Sequence, residues 1–132
     1  MEFRFFNPTT GKPDPDLSVV CTGVDAMYQR LAYSLFMTIA NIQDQHTGTG
    51  STWDLFQKAG LENRKRYITS WVNTAVNKVR MSDTSLKRDL SEALGEYKIS
   101  GIEVRGTDVL ITIEAQTKAG IVTTAILSAT GG

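Results

Sequence analysis

Cysteine and histidine occur once each among the 132 residues, and that scarcity removes whole classes of chemistry. Cys21 alone can form no internal disulfide, and Cys21 with His46 alone cannot build a His- or Cys-rich zinc site. An excess of either charge is also missing. Fourteen Lys and Arg balance fourteen Asp and Glu, which argues against binding that depends on neutralising many phosphates. Nothing resembles a signal peptide, and the apolar stretches are interrupted well short of the ~20 residues needed to span a bilayer. The expectation is a soluble protein made in the cytosol, with neither nucleic acid nor membrane as a direct partner and with no cofactor or metal. The length suits one domain that buries roughly two-thirds of the surface its unfolded chain exposes, without a disulfide or metal to hold it.

Proline is sparse and confined. Pro8, Pro13 and Pro15 are the only three, and they fall in the segment NPTTGKPDPD, where fixed φ and restricted preceding residues rule out a helix. Residues 1–23 therefore read as an extended N-terminal arm, with short strand candidates at Glu2–Phe6 and Leu17–Cys21. Residues 24–132 read as a single domain.

Within that domain, Met27, Leu31, Leu35, Ile39 and Ile42 recur at steps of three or four and predict an amphipathic helix from Val24 to about Gln43, with Asp25 as its cap. The polar, glycine-bearing run QDQHTGTGS ends it as a loop. Ser51 then opens a short helix over Thr52–Ala59, with Asp54 completing a weak capping box and Gly60 suited to a left-handed C-terminal position. Ile68, Trp71, Val72, Ala75, Val76 and Val79 predict a long helix from Leu61 to about Met81. Leu86, Leu90 and Leu94, after Ser82 and Asp83 and before Gly95, predict a fourth.

From Tyr97 the period becomes two. Ile99 and Val104 lie in one strand, and Val109, Ile111, Ile113 and Ala115 occupy one face of the next, after a turn at Arg105–Asp108. A second turn over Gln116–Gly120 leads to a final strand, Ile121–Ser128. The fold class is α+β: about four helices, then a three-stranded antiparallel meander with helices covering one face.

Residues able to do chemistry are few. His46 reads as a solvated loop residue, and Cys21, beside an apolar segment, as a small buried hydrophobe. Glu103 and Glu114 sit on adjacent strands, but at solvent-facing positions, and so make a poor glycosidase pair. HTGTGS has the glycine content of a phosphate cradle without its order of residues. Arg64-Lys65-Arg66 with Tyr67 and Trp71 permits a nucleic-acid reading, yet Trp71 lies on the apolar stripe, and a solvated helix face is the simpler account. No enzyme is expected.

The informative features are apolar. The last strand, through Ile121, Val122, Thr123, Thr124, Ala125, Ile126 and Leu127, is uncharged, partly apolar on both faces and placed to carry an open edge. Phe3, Phe5 and Phe6 in the arm, and Trp53 beside the glycine-bearing loop, are further candidates for contact with another chain.

The order of these elements, with SLFMTIAN, the loop, STWDLFQKAG, a long amphipathic helix and a terminal meander, resembles the small baseplate wedge proteins of contractile phage tails, the T-even lysozyme-like wedge and its Mu-like relatives, also called sheath initiators. The resemblance spans about residues 24–130. It implies a structural subunit, present in multiple copies in a symmetric virion baseplate after assembly in the host cytoplasm. Its implied partners are the sheath protein, the tail tube and other wedge proteins, and sheath assembly would start by strand pairing. Another tail-completion subunit, or a small regulatory binding module of the same fold, stays open beside it.

Overall fold

The computed structural model describes residues 2–45, 49–105 and 108–129, in the order β1 (Glu2–Phe6), β2 (Pro13–Cys21), α1 (Gly23–Gln45), α2 (Thr52–Lys58), α3 (Leu61–Ser85), β3 (Leu94–Arg105), β4 (Asp108–Thr117) and β5 (Val122–Ser128). The class is α+β, and the described residues hold three helices, a C-terminal antiparallel sheet in the order β3-β4-β5 and a two-stranded sheet, β1-β2. Residues 46–48, His46 and the first half of the HTGTGS run, and Gly106 and Thr107 of the first turn lie outside the described residues.

The apolar stripes form the core they predict. Met27, Leu31, Leu35 and Ile39 of α1, and Ile68, Trp71, Val72, Ala75, Val76 and Val79 of α3, are buried against each other and against one face of the sheet. That face presents Val109, Ile111, Ile113 and Ala115 from β4, and Ala125 and Leu127 from β5. Alternate residues point away, so Glu114 is exposed while its neighbours Ile113 and Ala115 are not, as the period of two requires.

Four expectations are corrected. The N-terminal segment is not an extended arm: β1 and β2 pair antiparallel, from Glu2 opposite Cys21 to Phe6 opposite Pro13. Proline is tolerated in β2 because this is an edge strand, with no further ladder for a missing N–H to interrupt. The fourth helix is absent. Helix α3 continues through Ser82 and Asp83, and Leu86 and Leu90 stand 63% and 61% exposed in a string of turns. Asp83 caps no new helix; its side chain accepts from the N–H of Leu94 at 2.9 Å and so starts β3, and Gly95 falls inside that strand. Asp25 lies in the first turn of α1, which begins at Gly23. Gly60 has φ −70° and is the N-cap of α3.

The short helix α2 begins at Ser51 as its sequence suggests, the Ser51 hydroxyl accepting from the N–H of Asp54 at 3.2 Å, while the Asp54 carboxylate accepts from the N–H of Gly50 at 2.9 Å, one residue before the N–H a capping box uses.

Candidate functional site

Strand β5 is the rim of the larger sheet, since it pairs with β4 alone, Ser128 opposite Leu110 through Val122 opposite Gln116. Along such a strand, the backbone N–H and C=O of every second residue face outward. Ile126 fixes the phase. Its N–H donates to the carbonyl of Pro8 at 2.9 Å, and its carbonyl accepts from the Tyr28 hydroxyl at 2.7 Å. Thr124 and Val122 therefore also turn their main-chain groups outward, and no hydrogen bond among the described residues reaches them from that side. Val122 is 61% exposed.

The loop after β1 explains where the edge is closed. The Asn7 carbonyl lies 3.2 Å from the same Tyr28 hydroxyl and shares its one proton, which brings that loop against α1. Gly11 turns at φ 72°, and a Cβ there would stand 2.8 Å from backbone atoms of Leu127 and Ser128. Only glycine allows the chain to pass this close to β5. Of the seven candidate residues on the strand, Ala125 and Leu127 belong to the core, Ile126 is covered by the loop, and Ile121, Val122, Thr123 and Thr124 remain at the accessible end. Pro8, Gly11 and Tyr28 were not legible as edge residues. The glycine in the turn segment PTTGK was the one local sign of them.

The three N-terminal phenylalanines separate by strand alternation. Phe6 is buried in the core, 5.9 Å from the ring of Phe36. Phe3 and Phe5 face outward and, with Tyr33 and Met37 of α1, line a groove of about 480 Å³ that Lys78, Val79 and Ser82 of α3 also line. The Gln29 side chain makes three of the bonds that hold the hairpin there. The Gln29 carbonyl oxygen accepts from the N–H groups of Phe5 and Phe6, each at 2.9 Å, and its amide donates to the Phe6 carbonyl at 2.8 Å. Thus the N-terminal segment docks on its own chain, and Tyr33 and Met37 join Phe3 and Phe5 in a partly exposed apolar surface.

Trp53 is half-buried. It stacks on Trp71 at 6.2 Å and lies 5.2 Å from Phe56, as a lid over that end of the core. The basic cluster has a structural use as well. Arg64 donates to the carbonyls of Phe56 and Gln57 at the end of α2, the first of which also accepts from the N–H of Ala59, and lies over the Phe56 ring at 5.7 Å.

Cys21 is buried, and burial first, then the Asp25 charge, pushes its thiol pKa up, the opposite of what a nucleophile needs. Glu103 pairs opposite Leu110, and Glu114 lies four residues further along β4. At ~3.3 Å per residue their backbones are about 13 Å apart along the strand, beyond the spacing of a glycosidase pair. Among the described residues there is no cluster of three metal-ligating side chains, and no helix is long and apolar enough to cross a membrane. Comparison with known protein families, curated proteins and solved structures finds no match to this chain.

Proposed function

We propose that this chain is a structural subunit of a contractile-tail baseplate, of the wedge or sheath-initiator kind, and that it works by docking rather than by catalysis. The observation that carries the reading is the open end of β5, where Val122 and Thr124 offer outward main-chain donors and acceptors on a sheet whose other face is held rigid by α1 and α3. A strand from a neighbouring subunit adds there by β-augmentation, main-chain bonds supplying affinity and side-chain alternation supplying register. The order of helix, loop, short aromatic helix, long helix and meander supports the same reading, with sheath, tube and other wedge proteins as neighbours in the virion.

The test replaces Val122 and Thr124 together by proline, which removes both outward N–H groups at positions where an edge strand tolerates the ring. The expected outcome is a folded protein, judged by an unchanged circular dichroism spectrum, in particles whose tail tubes lack sheath. Normal sheathed tails from the folded double variant, or absence of the protein from purified particles by mass spectrometry, overturns the proposal.

A further inference from the structure

The open end of β5 adjoins a cavity on the helix side of the sheet. It measures about 220 Å³ and is walled by Thr123 of β5, Val19 and Cys21 of β2 and Tyr28 of α1, with Arg4 and Asp25 also lining it. Pro8 lines it too, and the same residue's carbonyl holds the N–H of Ile126. The volume lies below the range of about 300–1,000 Å³ usual for small-molecule sites and suits a single side chain. Cys21, a buried small hydrophobe, adds to the apolar part of a wall that Gln29 also lines.

Successive residues of a strand point to opposite sides of its sheet. A strand laid outside β5 and bonded at Val122 and Thr124 therefore directs one residue to the same side as Thr123, the β5 residue that lines this cavity. The ladder cannot continue past Thr124, because both main-chain groups of Ile126 are already engaged by Pro8 and Tyr28. So few main-chain bonds hold a partner weakly, and burial of an apolar side chain supplies what they lack.

We infer that the segment received by β5 is a short extended strand of a neighbouring polypeptide, bonded only at Val122 and Thr124, which seats one aliphatic or aromatic side chain in the cavity walled by Thr123, Val19, Cys21 and Tyr28. This rests on the reading of β5 as the docking edge and adds two properties to it: a length limit set by Pro8, and a side-chain requirement set by the cavity.

Two substitutions fill the cavity without touching the outward main-chain groups. Thr123→Phe fills it from β5, and Val19→Trp fills it from the facing strand at a position already 38% exposed. Particles assembled with each variant, and with the double proline variant, are counted for sheathed tails by electron microscopy, and the melting temperature of each purified variant checks its fold. Each cavity variant that melts like the parent is expected to reduce sheathed tails about tenfold, the effect of losing roughly 1.4 kcal/mol of docking affinity. If a folded cavity variant sheathes normally while the proline variant fails, the cavity has no such role and the edge reading stands. If all the folded variants sheathe normally, both fall.

Discussion

Asp83 is a carboxylate 3% exposed, at the junction where the last helix gives way to the sheet. One oxygen accepts from the N–H of Leu94 at 2.9 Å; the other lies 3.0 Å from Nε of Arg88 and 3.8 Å from Nε of Arg30, as ion pairs out of line for hydrogen bonds. Burial, and then the neighbouring Arg88, lower the pKa of Arg30, so Asp83 offsets two crowded cations as well as a buried donor. Asp83→Ala removes a buried carboxylate in contact with both guanidinium groups and should cost about 3–5 kcal/mol, read from the urea midpoint. Asp83→Asn retains an acceptor for Leu94 and should cost less. Equal losses in the two variants would show that the hydrogen bond contributes nothing beyond the charge. The sequence misled at this residue because Ser82-Asp83 ahead of a leucine repeat has the form of a helix start. Its true partners, Arg30, Arg88 and Leu94, become neighbours only when α1 and β3 are in place.

Among the elements, those with one buried face were readable and those held by main-chain or long-range contacts were not. Helices α1 and α3 and strand β4 each show their period directly, because their apolar residues face a common core. Strand β2 shows none. Eight of its nine residues are exposed, so its place depends on pairing with β1 and on local ion pairs such as Arg4 with Asp14 at 3.0 Å. The aliphatic run of β5 marked a strand that does lie at a sheet edge, but that edge is divided by a loop more than a hundred residues away in sequence. Gly11 is the residue that lets that loop sit there. Gly11→Ala places a Cβ against backbone that cannot yield, at a φ costly to any side chain, a strain on the order of 1–3 kcal/mol. The loop should lift, and hydrogen exchange at the Ile126 amide should accelerate while the Ala125 and Leu127 amides, bonded to β4, stay protected. Unchanged protection at Ile126 would mean that the Pro8 contact does not depend on the close approach of Gly11.

Across the whole molecule, three consecutive residues of α1 join it to three separate parts of the fold. Tyr28 reaches β5 and the loop before β2, Gln29 holds β1, and Arg30 faces Asp83 at the end of α3. This arrangement makes hairpin, helices and sheet one cooperative unit, and it gives the unit an alkaline limit. Burial pushes the Tyr28 hydroxyl pKa far above that of an ordinary tyrosine, and burial with Asp25 raises that of Cys21. Both folded-state values are raised, so the folded chain keeps these protons where the unfolded chain releases them. Their contribution to stability is complete below the unfolded values of about 8.5 for Cys and 10 for Tyr, and is lost as pH rises beyond them. Urea denaturation across a pH series should show little change from these two groups between pH 7 and about 8.5, then a decline that steepens above about 10, where each group can contribute up to ~1.4 kcal/mol per pH unit. Tyr28→Phe should lose about 1 kcal/mol at neutral pH through its missing bond to Ile126, and should lack the steeper phase. A Phe variant that declines as steeply as the parent above pH 10 would place the alkaline limit elsewhere. If the steeper phase is absent only in the variant, the Tyr28 hydroxyl that bonds the first helix to the last strand sets the alkaline limit.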